Sequence, residues 1–321
     1  MKTIKKFTRV NAKTIEDAVS AMRTANAWAL GGGTDLVGTM RFEILPETMY
    51  PQILVNLKTI VPSLDYIKEE KGMLRIGALT RLEDIAKSSV VRSKWAALSE
   101  AAHKTASPHI REMGTIAGNI CQLTRCWYFR LHDCRFLCVR KGGKTCYAMA
   151  GENRYHSIFG GVSACMAVNP SDTAPALVVL NARIVTSKRT INAEEFWSVR
   201  IPRSTVIEND EIVREIQVPE PGLGVKSAFV KFALRSAIDF PIVNCAAAIG
   251  GGTARICLNA VFNKPYRATK AEEAIAGKTI DVASAQAAGI AAATGADAMT
   301  LNKWKIQVAA GMVKKAILAC A

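Results

Sequence analysis

Six of the nine cysteines in this 321-residue chain (Cys121, Cys126, Cys134, Cys138, Cys146 and Cys165) fall within 45 residues. A segment that gathers soft ligands in this way is expected to hold a metal. Four thiolates suffice for a tetrahedral zinc or a [4Fe–4S] cluster. No C-x-x-C knuckle occurs, so the usual zinc-ribbon pattern is missing, and the compact ferredoxin spacing is missing too. The gaps of 12 residues from Cys126 to Cys138, then 8 to Cys146 and 19 to Cys165, suit a cluster wrapped by an irregular loop. Iron–sulfur and zinc both stay open on spacing, with iron–sulfur ahead. A set of merely buried, reduced thiols is the plain alternative, and their density argues against it. The flanks, Gly114-Thr115-Ile116-Ala117-Gly118-Asn119 and Val168-Asn169-Pro170-Ser171-Asp172-Thr173-Ala174-Pro175-Ala176-Leu177, read as two halves of one small-residue wall with the cysteine segment pushed out between them.

The rest of the composition narrows the class. The length allows two domains and a sizeable core, and half the residues are apolar. The basic start Met1-Lys2-Thr3-Ile4-Lys5-Lys6 is followed by no apolar run, so no signal peptide is expected, and no stretch is long enough to span a bilayer. A cytoplasmic setting follows as the expectation, because reduced clustered thiols there bind metal or do redox work more often than they pair. The formal charge of +15 invites a nucleic-acid reading. Lys and Arg are nevertheless dispersed, with no recognition helix and no interleaved aromatics, so an anionic cofactor or acidic partner accounts for the charge better.

Along the chain, Thr14 caps a helix whose apolar face is Ile15, Ala18, Val19 and Met22. Ala27 to Leu30 reads as a buried strand running into Gly31-Gly32-Gly33-Thr34-Asp35-Leu36. Such a triplet lets the backbone approach a ligand and aim successive N–H groups at an anion, although a simple tight turn is the commoner meaning. It is neither a dinucleotide fingerprint nor a Walker loop. Strands are expected near 53–57, 74–79, 182–186 and 211–218, and helical stretches at 82–86, 95–102 and 176–180. His103 and His109 are given no chemistry, and Arg111 is expected to structure its loop or pair with a phosphate. Pro219-Glu220-Pro221-Gly222 breaks the chain. Beyond it come three strands (227–234, 243–249, 254–262) and three helices (266–276, 282–293, 302–319), an α+β pattern.

The glycine triplet, Gly114 to Asn119, Pro170 to Leu177 and Lys231-Phe232-Ala233-Leu234-Arg235-Ser236-Ala237-Ile238-Asp239 stand in the order and register of one family. The chain resembles the FAD-binding (medium) subunit of the molybdenum hydroxylases, the xanthine dehydrogenase family, over nearly its whole length. The cysteine insert is similar to that of the flavin subunit of 4-hydroxybenzoyl-CoA reductase, which carries an extra [4Fe–4S] cluster there. Its last gap is longer here, Cys134 lies near enough to compete as a ligand, and Ala117 stands where the family usually has glycine.

This resemblance implies a two-subdomain FAD-binding domain of the vanillyl-alcohol-oxidase (PCMH) type over residues 1–220, plus a smaller C-terminal α+β domain over 221–321. The subdomains would be about 1–58 and 59–220, with the cluster-binding insert at 121–167. Leu30, Gly31, Gly32, Gly33, Thr34, Asp35 and Leu36 would cradle the pyrophosphate of FAD. Thr115, Gly118 and Asn119 would line the other side of its site, Asp172 would hydrogen-bond the cofactor, and Lys231 would approach the isoalloxazine. Cys126, Cys138, Cys146 and Cys165 would hold the cluster, leaving Cys121 and Cys134 as spares. No substrate-converting residue is expected in such a subunit. Its partners would be a molybdopterin-binding large subunit and a [2Fe–2S] small subunit in a dimer of heterotrimers, with ferredoxin or NAD(P) as electron carrier. Arg140, Lys141 and Lys144 are expected to offer positive charge to an acidic carrier. A free-standing FAD-dependent oxidoreductase and a non-redox, zinc-stabilised interaction subunit are the competing classes.

Overall fold

The computed structural model describes residues 3–321. Its first layer is a small parallel sheet. Strand β1 (Thr8–Asn11) leads into helix α1 (Ile15–Met22), strand β2 (Ala27–Leu30), helix α2 (Leu36–Arg41) and strand β3 (Ile53–Asn56), with β3 between the other two. A reciprocal cap fixes the start of α1: Thr14 Oγ1 accepts from the Asp17 N–H and the Asp17 carboxylate accepts from the Thr14 N–H. Ala18 and Met22 then face Val55 and Leu57 in a compact core. Loops at the carboxyl ends of parallel strands are where such sheets present ligand sites, and the glycine triplet leaves β2 at that end.

A five-stranded antiparallel sheet follows. It contains β4 (Ile67–Glu70) and β5 (Met73–Gly77), then helices α3 (Leu82–Lys87), α4 (Ser89–Lys94), α5 (Ala96–His103), α6 (Pro108–Arg111), α7 (Ile116–Cys121), α8 (Trp127–Arg130) and α9 (Thr173–Val179) intervene. Strands β6 (Arg183–Thr186), β7 (Thr190–Asn192) and β8 (Val213–Pro219) complete the order β4-β5-β8-β6-β7. Its largest core joins Leu74, Ile76 and Ile216 of the sheet to α3, α5 and α9. Two buried tryptophans lock this layer through their indole N–H groups: Trp95 donates to Pro219 O (2.8 Å) and Trp197 to Ile120 O (2.9 Å). Between α7 and α9 the cysteine-bearing segment is irregular apart from α8 and a single 3-10 turn at Val139–Lys141, as its spacing suggested.

The third layer is the antiparallel sheet of β9 (Lys226–Phe232), β10 (Val243–Gly250), β11 (Thr253–Asn259) and β12 (Tyr266–Arg267), backed by α10 (Thr269–Ile275), α11 (Val282–Ala292) and α12 (Trp304–Leu318). The chain thus has the expected α+β, mixed helix-and-sheet architecture. Helix α4, with Ser88 as its cap, is an addition to the sequence reading.

Arg111 proves to be a loop organiser. Buried beside Glu83, it donates Nε to that carboxylate at 2.6 Å and Nη1 to the carbonyls of Thr105 and Ala106. The Arg111 hydrogen bond holds the Glu83 carboxyl below the ordinary glutamate range, with burial opposing. A depressed carboxyl adds stability that is present above the unfolded pKa, about 4.3, and is lost as pH falls through the folded one. Glu83→Gln is therefore expected to cost about 1–3 kcal/mol at neutral pH. The deficit should shrink on acidification below about pH 4, which denaturant unfolding at the two pH values checks. An equal deficit at both would reject the linkage.

Candidate functional site

Where β2 ends, the glycine loop closes against the loop that starts α7. A Cβ on Gly32 would lie 1.9 Å from the Met113 carbonyl oxygen, and one on Gly31 3.1 Å from Thr115 Oγ1. Gly33 has φ +76°, the left-handed region that glycine tolerates. The need for glycine at 32 thus comes from wall-to-wall backbone contact, not from a ligand alone as the sequence suggested. Behind this seam lies a cavity of about 170 Å³ lined by Leu30 to Leu36, Thr115, Ala117 and Gly118. A second cavity of about 310 Å³ shares Thr34, Asp35, Thr115, Gly118 and Gln122 with it and runs on to Asn119, Pro170 and Asp172. All the flavin-site residues expected from sequence except Lys231 therefore line one or the other of these two adjoining cavities, and Lys231 reaches the second through its ion pair with Asp172.

Several of these side chains hold the wall together. The Asp35 carboxylate accepts from the Leu123 N–H (3.0 Å) and pairs with Arg125 (2.9 Å) and Arg130 (2.8 Å). Burial raises its proton affinity, but both guanidinium groups and the Leu123 N–H outweigh that and keep the carboxyl below the usual range. Asp35 thereby ties the glycine loop to the start of the cysteine segment. Asn119 Oδ1 accepts from Ser171 Oγ (2.5 Å) and Thr173 Oγ1 (2.7 Å), so the two flanks of that segment are stitched directly to each other. Asp172 is buried, with one oxygen 2.7 Å from Lys231 Nζ and the other accepting from Asn244 Nδ2 at 2.8 Å. The expected pair of cofactor contacts, Asp172 and Lys231, thus meet each other across the second and third layers. Arg125, Arg130, Ser171, Thr173 and Asn244 were missed in the sequence. Asn244 carried the clearest signal, a β-poor amide inside an apolar strand.

Of the cysteines expected as ligands, Cys126 lines a further cavity with Arg125, Trp127, His156 and Phe240. Burial pushes the Cys126 thiol up to about 12, and the neighbouring Cys165 and Cys138 add to it. Cys138 pairs by backbone with Thr145, which brings Cys146 alongside. Cys121 faces the first cavity, apart from the rest. Among the described residues, no three His, Cys, Asp or Glu side chains converge tightly enough for a single ion. His156 Nε2 lies 3.2 Å from Cys126 Sγ, and burial, with the nearby Lys305 charge, pulls its pKa down to about 4, so the imidazole is neutral.

Two residues read as an exposed basic turn are inside the protein. Arg140 and Lys141 are each only 2% exposed, and their docking role is corrected accordingly. Arg140 donates Nε to Cys165 Sγ at 3.3 Å and Nη1 to the carbonyls of Pro202 and Arg203. Lys141 Nζ lies 5.4 Å over the Phe129 ring, and burial lowers its pKa against the opposing pull of the Cys134, Cys138 and Cys126 thiols. Lys305 of α12 is fully buried, donating to the carbonyls of Tyr155, His156 and Ala260. Residues 5–221 match the family described as the FAD binding domain in molybdopterin dehydrogenase, and residues 228–320 match the CO dehydrogenase flavoprotein C-terminal domain. The chain belongs to this family, the FAD-binding medium subunits of molybdenum hydroxylases.

Among its relatives, the aldehyde oxidoreductase FAD-binding subunit PaoB of Escherichia coli (strain K12) is 35% identical over 277 residues, 83% of this chain and 84% of that one. The nicotinate dehydrogenase FAD-subunit of Eubacterium barkeri is 26% identical, over 88% of this chain and 84% of its own. The carbon monoxide dehydrogenase of Hydrogenophaga pseudoflava, solved without its Mo-pyranopterin moiety, superposes with a TM-score of 0.75 at 26% identity, covering 99% of this chain and 98% of that one. No helix among the described residues is long and apolar enough to cross a membrane.

Proposed function

We propose that this subunit passes electrons between the molybdopterin and [2Fe–2S] subunits of a molybdenum hydroxylase-type complex and an external carrier, through FAD and one additional [4Fe–4S] cluster. The complex is a dimer of heterotrimers in the cytoplasm, its substrate is converted on the large subunit, and ferredoxin or NAD(P) is the carrier class. Residues 1–220 form the flavin domain and 221–321 the C-terminal domain. The observation that carries the flavin half is the glycine seam: only a Cβ-free backbone at Gly32 lets the two loops meet, and residues of both loops line the cavity behind them. Leu30 to Leu36 hold the pyrophosphate there, with Thr115, Gly118 and Asn119 opposite. Bound FAD supplies reversible two-electron chemistry. The chain's own part is to orient it, exclude water and set its surroundings through Asp172 and Lys231.

For the cluster, Cys126, Cys138, Cys146 and Cys165 are the ligands, as in the 4-hydroxybenzoyl-CoA reductase type. This ligand set rests on the resemblance and on the crowding of cysteines in the sequence, since no three of the described His, Cys, Asp or Glu side chains converge on a single ion. The buried Lys141 ammonium and the Arg140 guanidinium on Cys165 would offer positive charge to such an anionic group. Protein reconstituted without oxygen should contain about one FAD and about four irons with four sulfides per chain. Cys138→Ser combined with Cys146→Ser should lose the iron and keep the flavin. A chain that takes up neither group ends this reading, and iron retained in the double variant retires the ligand set alone.

A further inference from the structure

We infer that Arg203, seated on the Trp28 ring, is the cation that recognises the diphosphate of the flavin cofactor. This deepens the flavin reading above and rests on it. The observation is a charge left over in the cavity behind the glycine seam. Among the described residues lining that cavity, Arg203 alone is basic. The two carboxylates lining it are engaged elsewhere. Asp35 is held by Arg125 and Arg130, and Glu211 by Arg189 (3.1 Å) and Thr186 Oγ1 (2.7 Å). Arg203 is half-buried, and its contacts do not neutralise it. The guanidinium lies 5.3 Å from the centre of the Trp28 ring and donates Nη1 to the Glu208 carbonyl at 3.3 Å, while the Glu208 carboxylate pairs with Lys188. Burial pulls its pKa down, opposed by the Cys121 thiol and by no acid.

A cation withdrawn from water onto a ring and a carbonyl is costly to keep unless an anion joins it. Elsewhere this chain supplies the anion itself: Arg111 has Glu83 and Lys231 has Asp172. At Arg203 the place is open to a ligand. Trp28 stands on β2 just before the glycine triplet, so the cation sits at the root of the loop expected to cradle the diphosphate. The ring attracts the guanidinium without cancelling its charge. The main chain under it is fixed as well, because Arg140 Nη1 donates to the carbonyls of Pro202 and Arg203 and to Ser204 Oγ. A guanidinium held in advance loses little freedom on meeting a phosphate, and its planar fork suits two phosphate oxygens. Met22, Leu57, Leu79 and Ile212 line the same cavity and give an apolar surface suited to an adenine ring.

The test is calorimetric titration of the flavin-depleted full chain with ADP and with adenosine. The parent should bind ADP at least about tenfold more tightly than adenosine. Arg203→Met should erase that preference by weakening ADP alone, and should weaken FAD by about tenfold to a hundredfold. Arg203→Lys should keep part of the preference, because a point charge replaces the fork. Added salt should lower the preference of the parent and leave Arg203→Met unmoved. Equal losses of ADP and adenosine affinity would mean that Arg203 only keeps the cavity in shape, and would overturn the proposal. A full preference for ADP without the cation overturns it too. Should Arg203→Met fail to fold, the parent and Arg203→Lys decide: a salt-sensitive preference in both upholds the proposal, and its absence from the parent ends it. If a parent that takes FAD binds neither fragment, the FAD affinities of parent and variants decide by the same margin. A parent that does not take FAD would instead refute the flavin reading itself.

Discussion

Gly32→Ala is expected to yield protein that folds weakly and is purified largely without flavin. The new methyl carbon would stand 1.9 Å from Met113 O, 2.8 Å from its carbonyl carbon and 3.1 Å from the Gly114 Cα. These are main-chain atoms, so no side-chain rotation relieves the overlap, and the two loops must part by about 1 Å or more. Overpacking of this kind costs about 1–3 kcal/mol of stability. The separation also widens the groove at the point where Thr34, Asp35, Thr115 and Gly118 belong to both cavities. Loss of FAD affinity by about tenfold to a hundredfold, about 1.4–2.8 kcal/mol, is the result expected. Gly38→Ala is the matched control: it lies within α2 with nothing inside 4 Å of its Cβ position, and should stabilise by about 0.5–1 kcal/mol with FAD content unchanged. Flavin titration and thermal unfolding read both effects. A Gly32→Ala protein with parental flavin affinity would show that the seam does not shape the groove.

How much of this was legible beforehand depended on the range of the interaction. Local signals were readable: the Thr14 cap, the Pro219 to Gly222 break, the three C-terminal helices and the irregular cysteine segment follow from propensity and spacing over a few residues. The glycine triplet was legible as a place of close approach, but what approaches Gly32 is the Met113 carbonyl, 81 positions later in the chain, and no local pattern encodes that. Arg140 and Lys141 were misread because a run of Arg, Lys and Gly has the composition of a solvated turn. Their burial follows from the folding of the segment around the thiols and the 202–204 stretch, which composition does not record. Likewise Lys305 sits in a helix whose sequence looks amphipathic, and its function as a clamp on residues 155–156 appears only once α12 packs on the third sheet. Long-range polar contacts inside the protein are thus where sequence reasoning ran short, and they are concentrated around the two candidate cofactor sites.

Lys231→Met carries the other large expected effect. It removes the only ammonium contacting the Asp172 carboxylate, leaving Asn244 as its remaining hydrogen-bond donor among the described residues. Breaking a buried pair from one side costs about 3–5 kcal/mol, whereas replacing both charges is often near neutral. The double variant Lys231→Met with Asp172→Asn should therefore recover most of the loss, a coupling that a double-mutant cycle isolates. The sign of the pH dependence discriminates further. Burial raises the Asp172 carboxyl above its ordinary value, with Lys231 and Asn244 opposing. With a raised folded pKa, the native state holds the proton more tightly than the unfolded chain. Stability is then fullest below the unfolded value, about 3.9, and declines as pH climbs through the folded one. Removing Lys231 raises that carboxyl further, so the deficit of Lys231→Met should widen as pH rises above about 4. Asp172→Asn should abolish the widening. A deficit independent of pH, or a double variant no better than the single, would mean that packing of the lysine stem, and not its charge, joins the third layer to the flavin groove.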